Sequence, residues 1–172
     1  MNKSVLLSGL MLAVSVAIAA PTVFASGGGG GGGWHPFSKT AAPNPDAPDF
    51  SAIFNWGVKI KNMDELFLIA GHGAHDETGE IQFPDDPVAQ TQYILDNFDV
   101  YLADNGYDRD DIIRIEFTMT NDVTESDFNQ ILGLFAGYFA PVAVKPAAGT
   151  LRIVDALAIP GMKVEYEIWC AK

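Results

Sequence analysis

The chain is short of basic residues, of cysteine and of long apolar runs. Of its 172 residues, 10 are lysine or arginine against 22 aspartate or glutamate, a formal net charge of −12. That balance excludes polyanions as natural partners: neither nucleic acid nor an anionic membrane surface would be attracted. An anionic small molecule would need locally placed positive charge. Cys170 is the only cysteine, so no internal disulfide can form and stability must come from the core or from self-association. Histidine is scarce too. His72 and His75 stand beside Asp76 and Glu77, the residue types of a zinc loop, but no third ligand follows at a recognisable spacing. No metal and no cofactor is therefore expected. Gly71-His72-Gly73 lacks the Gly-Lys-Ser/Thr ending of a phosphate loop.

The longest apolar stretch lies at the start of the chain. After Lys3, Leu6 to Ala20 is apolar except for Ser8, Gly9 and Ser15, which is too short to span a bilayer. Small residues follow, with Val23 and Ala25 at the −3 and −1 positions of a cleavage site. Residues 1–25 are expected to be a secretory signal peptide, and the mature protein to be exported, periplasmic or secreted, with no membrane insertion after cleavage. Loss of Lys3 takes the net charge from −12 to −13. Residues 26–49 are expected to be a flexible leader: Ser26 precedes seven glycines, and Pro36, Pro43, Pro45 and Pro48 follow, predicting irregular chain from Trp34 to Asp49. Residues 50–172 then form one domain.

Within that domain two periodicities alternate. Ile53–Lys61 alternates as a strand, and Glu65–Ala70 is a continuous apolar run consistent with a buried second strand. A helix begins near Pro87 after Asp85-Asp86, carries Val88, Thr91, Ile94 or Leu95, Phe98 and Leu102 at helical spacing, and stops at Asn105-Gly106. Asp111–Thr120 alternates, with Ile113, Ile115, Phe117 and Met119 on one face and Arg114, Glu116, Thr118 and Thr120 on the other. Thr124 opens a second helix, with Asp127 three residues on as a capping box, an apolar stripe of Phe128, Ile131, Leu132, Phe135 and Phe139, and Pro141 beyond its end. Two last strands, Thr150–Leu157 and Met162–Trp169, flank Pro160-Gly161. The order β-β-α-β-α-β-β predicts an α+β two-layer sandwich, both helices on one face of a mixed sheet. Arg114, Glu116, Thr118, Arg152 and Glu165 crowd the other face, which is too polar for a monomer's core and points to a facing copy of the chain.

The pieces LFLIAGHGA, QTQYILDNFDVYLADNG, DDIIRIEFTMTN, DFNQILGLFAGYF and MKVEYEIWCA, in this order, resemble the RidA (reactive-intermediate deaminase) family over roughly residues 53 to 171. The resemblance implies the RidA/chorismate-mutase-like fold and a homotrimer with small-molecule clefts between subunits. It also implies hydrolysis of reactive enamines and imines to ketoacids and ammonia. It places Glu165 as the catalytic carboxylate and Gly71, His72, Gly149, Thr150 and Trp56 around the ligand. The family's arginine, from its P-A-R-[ST] pattern, falls on Gly149 of PAAGT. Arg152 is the available substitute, but it lies three residues on, and alternation puts it on the opposite face unless a β-bulge intervenes. Two readings follow. One is an exported enamine/imine hydrolase. The other is a ligand-binding trimer that kept the fold and lost the deaminase chemistry.

Overall fold

The structure, a computed structural model, describes residues 36–48 and 50–172. The signal peptide, the glycine run and Trp34 lie outside the described residues.

The first element falls where irregular chain was expected. Strand β1, Ser38–Ala42, pairs antiparallel with β2, Gly57–Lys61, from Ser38 opposite Lys61 to Ala42 opposite Gly57. Pro36 and Pro43 flank β1 instead of interrupting it, so its backbone donors stay available for the ladder. Lys39 anchors this hairpin to the domain, donating to the carbonyls of Asp110 and of Ile112, the latter at 3.0 Å. Strand β2 is shorter than expected, and Ile53 to Asn55 form a turn and bridge ahead of it.

A second sheet has four strands in the order β3-β6-β4-β5. These are β3 (Leu66–His72), β4 (Ile112–Thr120), β5 (Ala147–Val154) and β6 (Val164–Ala171). The pairing of β4 with β5 is parallel; β6 runs antiparallel to both β3 and β4. Two helices, α1 (Pro87–Asp104) and α2 (Glu125–Tyr138), cover one face, which gives the expected α+β two-layer arrangement.

Local chemistry explains the helix limits. The Asp86 side chain accepts from the Ala89 N–H at 3.0 Å, Pro87 occupies the first turn, and Gly106 beyond the end sits at φ +77°. At α2 the capping box closes in both directions, Thr124 accepting from the Asp127 N–H and Asp127 from the Thr124 N–H, each at 3.2 Å. The core between the layers centres on Tyr166, fully buried, with the rings of Phe117 and Phe135 edge-on at 5.7 and 5.0 Å. Removing a ring such as Phe135 from this core would cost about 3–5 kcal/mol. Gln90, a buried residue that the apolar periodicity passed over, donates to the carbonyls of Phe83 and Gly161 at 3.0 and 2.7 Å. It also accepts the Lys163 N–H at 2.8 Å, fastening α1 to the turn before β6.

Strict alternation fails in three places. The β4–β6 register shifts between Ile112 and Arg114, so Ile112, not Ile113, is the fully buried residue at the start of β4. The β3–β6 register shifts between Ile69 and His72, and the β4–β5 register shifts between Ile115 and Phe117. The last two shifts decide the composition of the candidate site.

Candidate functional site on the open face of the sheet

Side chains on the face away from the helices come from alternate positions of three strands. Strand β4 contributes Arg114, Glu116 and Thr118, and β6 contributes Glu165, Glu167 and Trp169. Strand β5 reaches this face through a bulge. Ile115 is opposite Ala148 and Phe117 opposite Leu151, so Gly149 and Thr150 together face the single residue Glu116. A Cβ on Gly149 would fall inside the Glu116 carboxylate, which fixes Gly149 to the open face. Leu151 returns to the helix side beside Phe117 and Phe128. Arg152 is then opposite Thr118 and on the open face again. The expectation that Arg152 points away from the Gly149 side is therefore corrected: the extra residue in β5 reverses the parity.

The consequence is a row across the sheet. Arg152 pairs with Thr118, and Thr118 with Glu165. A Cβ on Gly71 would lie 2.5 Å from Glu165 Oε1, so Gly71 of β3 borders that carboxylate. With neighbouring strands about 4.8 Å apart, the Cα atoms of Arg152 and Glu165 are about 10 Å apart, room for a small metabolite between two long side chains. Arg152 and Arg114 are exposed, at 52% and 41% of the side chain, whereas Glu116 retains 6%.

Glu116 is the most heavily engaged group here. It accepts from Arg114 Nε at 2.7 Å and from Arg114 Nη2, and from the Thr150 N–H at 3.0 Å. Arg152 Nη2 lies 3.2 Å from Oε2, the oxygen that accepts the Thr150 N–H. Burial pushes the Glu116 carboxyl up. The Arg114 and Thr150 hydrogen bonds and the Arg114 and Arg152 charges outweigh burial and hold it below the usual carboxylate range. A carboxylate so held is a poor proton acceptor. Sequence reasoning placed Glu116 on this face but gave it no role. The signal was the adjacency of a glycine in one strand and a glutamate in its neighbour, which requires the register to be seen. Glu165 is half-buried, and Trp169 Nε1 donates to Glu167 at 2.6 Å.

Two expected site residues lie elsewhere. His72 is opposite Tyr166, a core residue, because the shift at the end of β3 carries it to the helix side. Its ring stands 5.4 Å from Phe98 and 5.8 Å from Tyr101, and its Nδ1 is 2.8 Å from the Ala70 carbonyl. It thus shares a strand with Gly71 but not a face. Trp56 belongs to an aromatic cluster with Phe50 and Phe54, and its indole N–H donates to the Pro48 carbonyl at 2.9 Å. All these partners lie within residues 48–54. Phe50 and Phe54 also wall an apolar cavity of about 210 Å³ with Phe117, Phe128, Leu132 and Leu151. The His72 and His75 rings are 6.5 Å apart, and the Asp76 carboxylate between them and Glu80 is taken up by its own turn, accepting from Thr78, Glu80 and Gln82.

Comparison with known proteins agrees with this architecture. A family model described as Endoribonuclease L-PSP matches residues 45–172. The chain belongs to that family, the RidA family of the resemblance above. Among solved structures it is similar to YyfB from Yersinia pestis, a Rid-family protein of unknown function. That match has a TM-score of 0.68 at 24% identity over 78% of this chain and 98% of the other. Rv2704 from Mycobacterium tuberculosis, of the YjgF/YER057c/UK114 family, matches with a TM-score of 0.50 at 23% identity over 78% and 100%. A putative endoribonuclease from Thermotoga maritima matches at 0.52 and 20% over 76% and 91%. At these identities the likeness is one of fold. No curated protein sequence matches the chain.

Proposed function

We propose that the chain hydrolyses small reactive enamines or imines on its open face, with Arg152 and Glu165 as the working pair. The observation that carries this reading is the bulge in β5, which restores an arginine to the face that holds Gly71 and Glu165. In this scheme Arg152 grips the substrate carboxylate with the part of its guanidinium not turned to Glu116. An enamine first takes a proton from solvent at its β-carbon, loses one from nitrogen and becomes the imine. Glu165 then orients a water and takes its proton as the oxygen adds to the C=N carbon and the nitrogen takes a proton from solvent. Collapse of the carbinolamine returns that proton to nitrogen, expels ammonia and releases the hydroxyl proton to solvent, leaving a 2-oxo acid. For the enamine formed from serine, the product is pyruvate.

The polar face needs a cover, and a second and third copy of the chain would supply it. The charged row would then line intersubunit clefts in a homotrimer. We place the mature protein outside the cytoplasm, on the strength of the first 25 residues. Among the described residues no helix is long and apolar enough to cross a membrane.

A second reading, ligand binding without chemistry, is favoured by one contact: Arg152 already faces Glu116 at 3.2 Å and must share itself with any ligand. Ammonia release decides between them. Purified protein is added to enamine generated enzymatically from serine, and ammonia is followed against buffer. The hydrolase reading requires a rate above buffer that falls in Glu165→Gln and in Arg152→Ala. Pyruvate binding with no rate above buffer selects the second reading. A monomer by light scattering removes the intersubunit cleft from both.

A further inference from the structure

The hydrolase reading rests on the face to which Arg152 points, and that face is set by two residues of β5 standing against one of β4. Bulges in parallel pairs are uncommon, so this one needs a cause. The hydrophobic pattern supplies part of it: Leu151 and Phe117 together line the apolar cavity under α2. The pattern does not explain why the extra residue is taken up at Gly149 and Thr150.

Glu116 does. Its Oε2 accepts the Thr150 N–H at 3.0 Å, the backbone donor of a bulge residue that the register leaves without a partner. Its carboxylate fills the volume that any side chain at position 149 would need. The same oxygen lies 3.2 Å from Arg152, and the other oxygen is held by Arg114. One buried carboxylate thus touches the bulge at its backbone, at its missing side chain and at the arginine it delivers. We propose that Glu116 is a positioning residue: by accepting the Thr150 N–H in the notch at Gly149 it holds the β5 bulge, and so keeps Arg152 on the face of Glu165. Arg114 secures Glu116 in turn. Without an acceptor at 116, the regular pairing seen at Ala148 would continue through β5. Leu151 would then take the open face and Arg152 the helix side.

This inference deepens the hydrolase reading but is testable apart from it. The acceptor, not the charge, is what the bulge requires. Glu116→Gln keeps an oxygen for the Thr150 N–H; Glu116→Leu removes it at similar volume; Gly149→Ala keeps the carboxylate but evicts it from its seat. Two readouts are taken on the full chain: hydrogen exchange of the Thr150 amide by NMR, and pyruvate binding by calorimetry. The expected result is a protected Thr150 amide in the wild type and in Glu116→Gln. Exchange should be faster by about tenfold or more in Glu116→Leu and Gly149→Ala. Pyruvate affinity should follow the same division, with the two disruptive variants falling to the level of Arg152→Ala, about ten-fold or more below wild type. Gly149→Ala carries the test if Glu116→Leu does not fold. Wild-type protection and affinity in a folded Glu116→Leu or Gly149→Ala overturn the proposal, as does a Gln variant as impaired as the Leu variant. If the wild type itself binds no pyruvate, the hydrolase reading fails, and Thr150 exchange alone still decides for or against Glu116.

Discussion

Replacing Thr91 by valine should destabilise the domain more than replacing Tyr166 by phenylalanine, although the two hydroxyls share one hydrogen bond. Thr91 Oγ1 and Tyr166 Oη are 2.7 Å apart and both side chains are fully buried. Thr91 has a single hydroxyl proton, and it donates to the Pro87 carbonyl at 2.7 Å. Tyr166 must therefore be the donor between the two. Tyr166→Phe removes a donor and leaves no orphan, because Thr91 keeps its bond to Pro87, so the cost is about 0.5–1.5 kcal/mol. Thr91→Val strands the Tyr166 hydroxyl in an apolar core, and an unsatisfied buried donor costs about 1–3 kcal/mol on top of the lost Pro87 bond. The double variant has no orphan, so it should be more stable than Thr91→Val alone. Urea unfolding of the four proteins measures this, and each 1 kcal/mol corresponds to about 3–5 °C in Tm for a domain of this size. Strictly additive costs, or Tyr166→Phe as the worse single variant, would refute the hydrogen-bond assignment. The pair matters to the site because Tyr166 precedes Glu167 and follows Glu165. Its anchorage to α1 fixes which face those carboxylates take.

Three further expectations follow from the geometry. Gly71→Ala puts a methyl 2.5 Å from Glu165 Oε1 and must swing that carboxylate. Turnover of serine-derived enamine should fall roughly 10–100-fold with little change in thermal stability. The Glu116 carboxyl is held below its ordinary range in the folded chain. Its contribution is therefore present above the unfolded carboxylate pKa, about 4.3, and is lost as the pH falls through the folded value. Urea unfolding between pH 3 and 7 should show a weaker acid dependence in Glu116→Gln than in the wild type; identical slopes would count against the Arg114 and Thr150 contacts. Finally, a chain at −12 should give no anisotropy change with labelled single-stranded RNA at physiological salt, whatever the family's descriptive name.

The helices were legible because their signals are local. Asp86-Pro87 and Thr124 with Asp127 announce helix starts through side chains that bond the adjacent backbone, and Gly106 announces a stop through its own φ. The strands were legible as strands through period-two alternation. Their faces were not, because a face depends on the partner strand's register. Resemblance put His72 beside Gly71, whereas the two take opposite faces of β3; alternation turned Arg152 away from Gly149, whereas the two share a face. Both differences of face arise from one extra residue at the end of β3 and one in β5. Strand β1 was hidden by the prolines at its two ends, which read as a continuous irregular segment. Glu116 was visible as a polar strand residue, but its role lies in contacts to Gly149 and Thr150, 33 and 34 residues away, which no local pattern encodes.

The central claim is that Arg152 and Glu165 share one face and act on one ligand. A crystal structure of the protein soaked with pyruvate tests it most directly. The account predicts the pyruvate carboxylate within about 2.7–3.0 Å of the Arg152 guanidinium, with its keto carbon turned toward Glu165 and Gly71. Arg152 on the helix side of β5, or pyruvate bound away from this row, would contradict it.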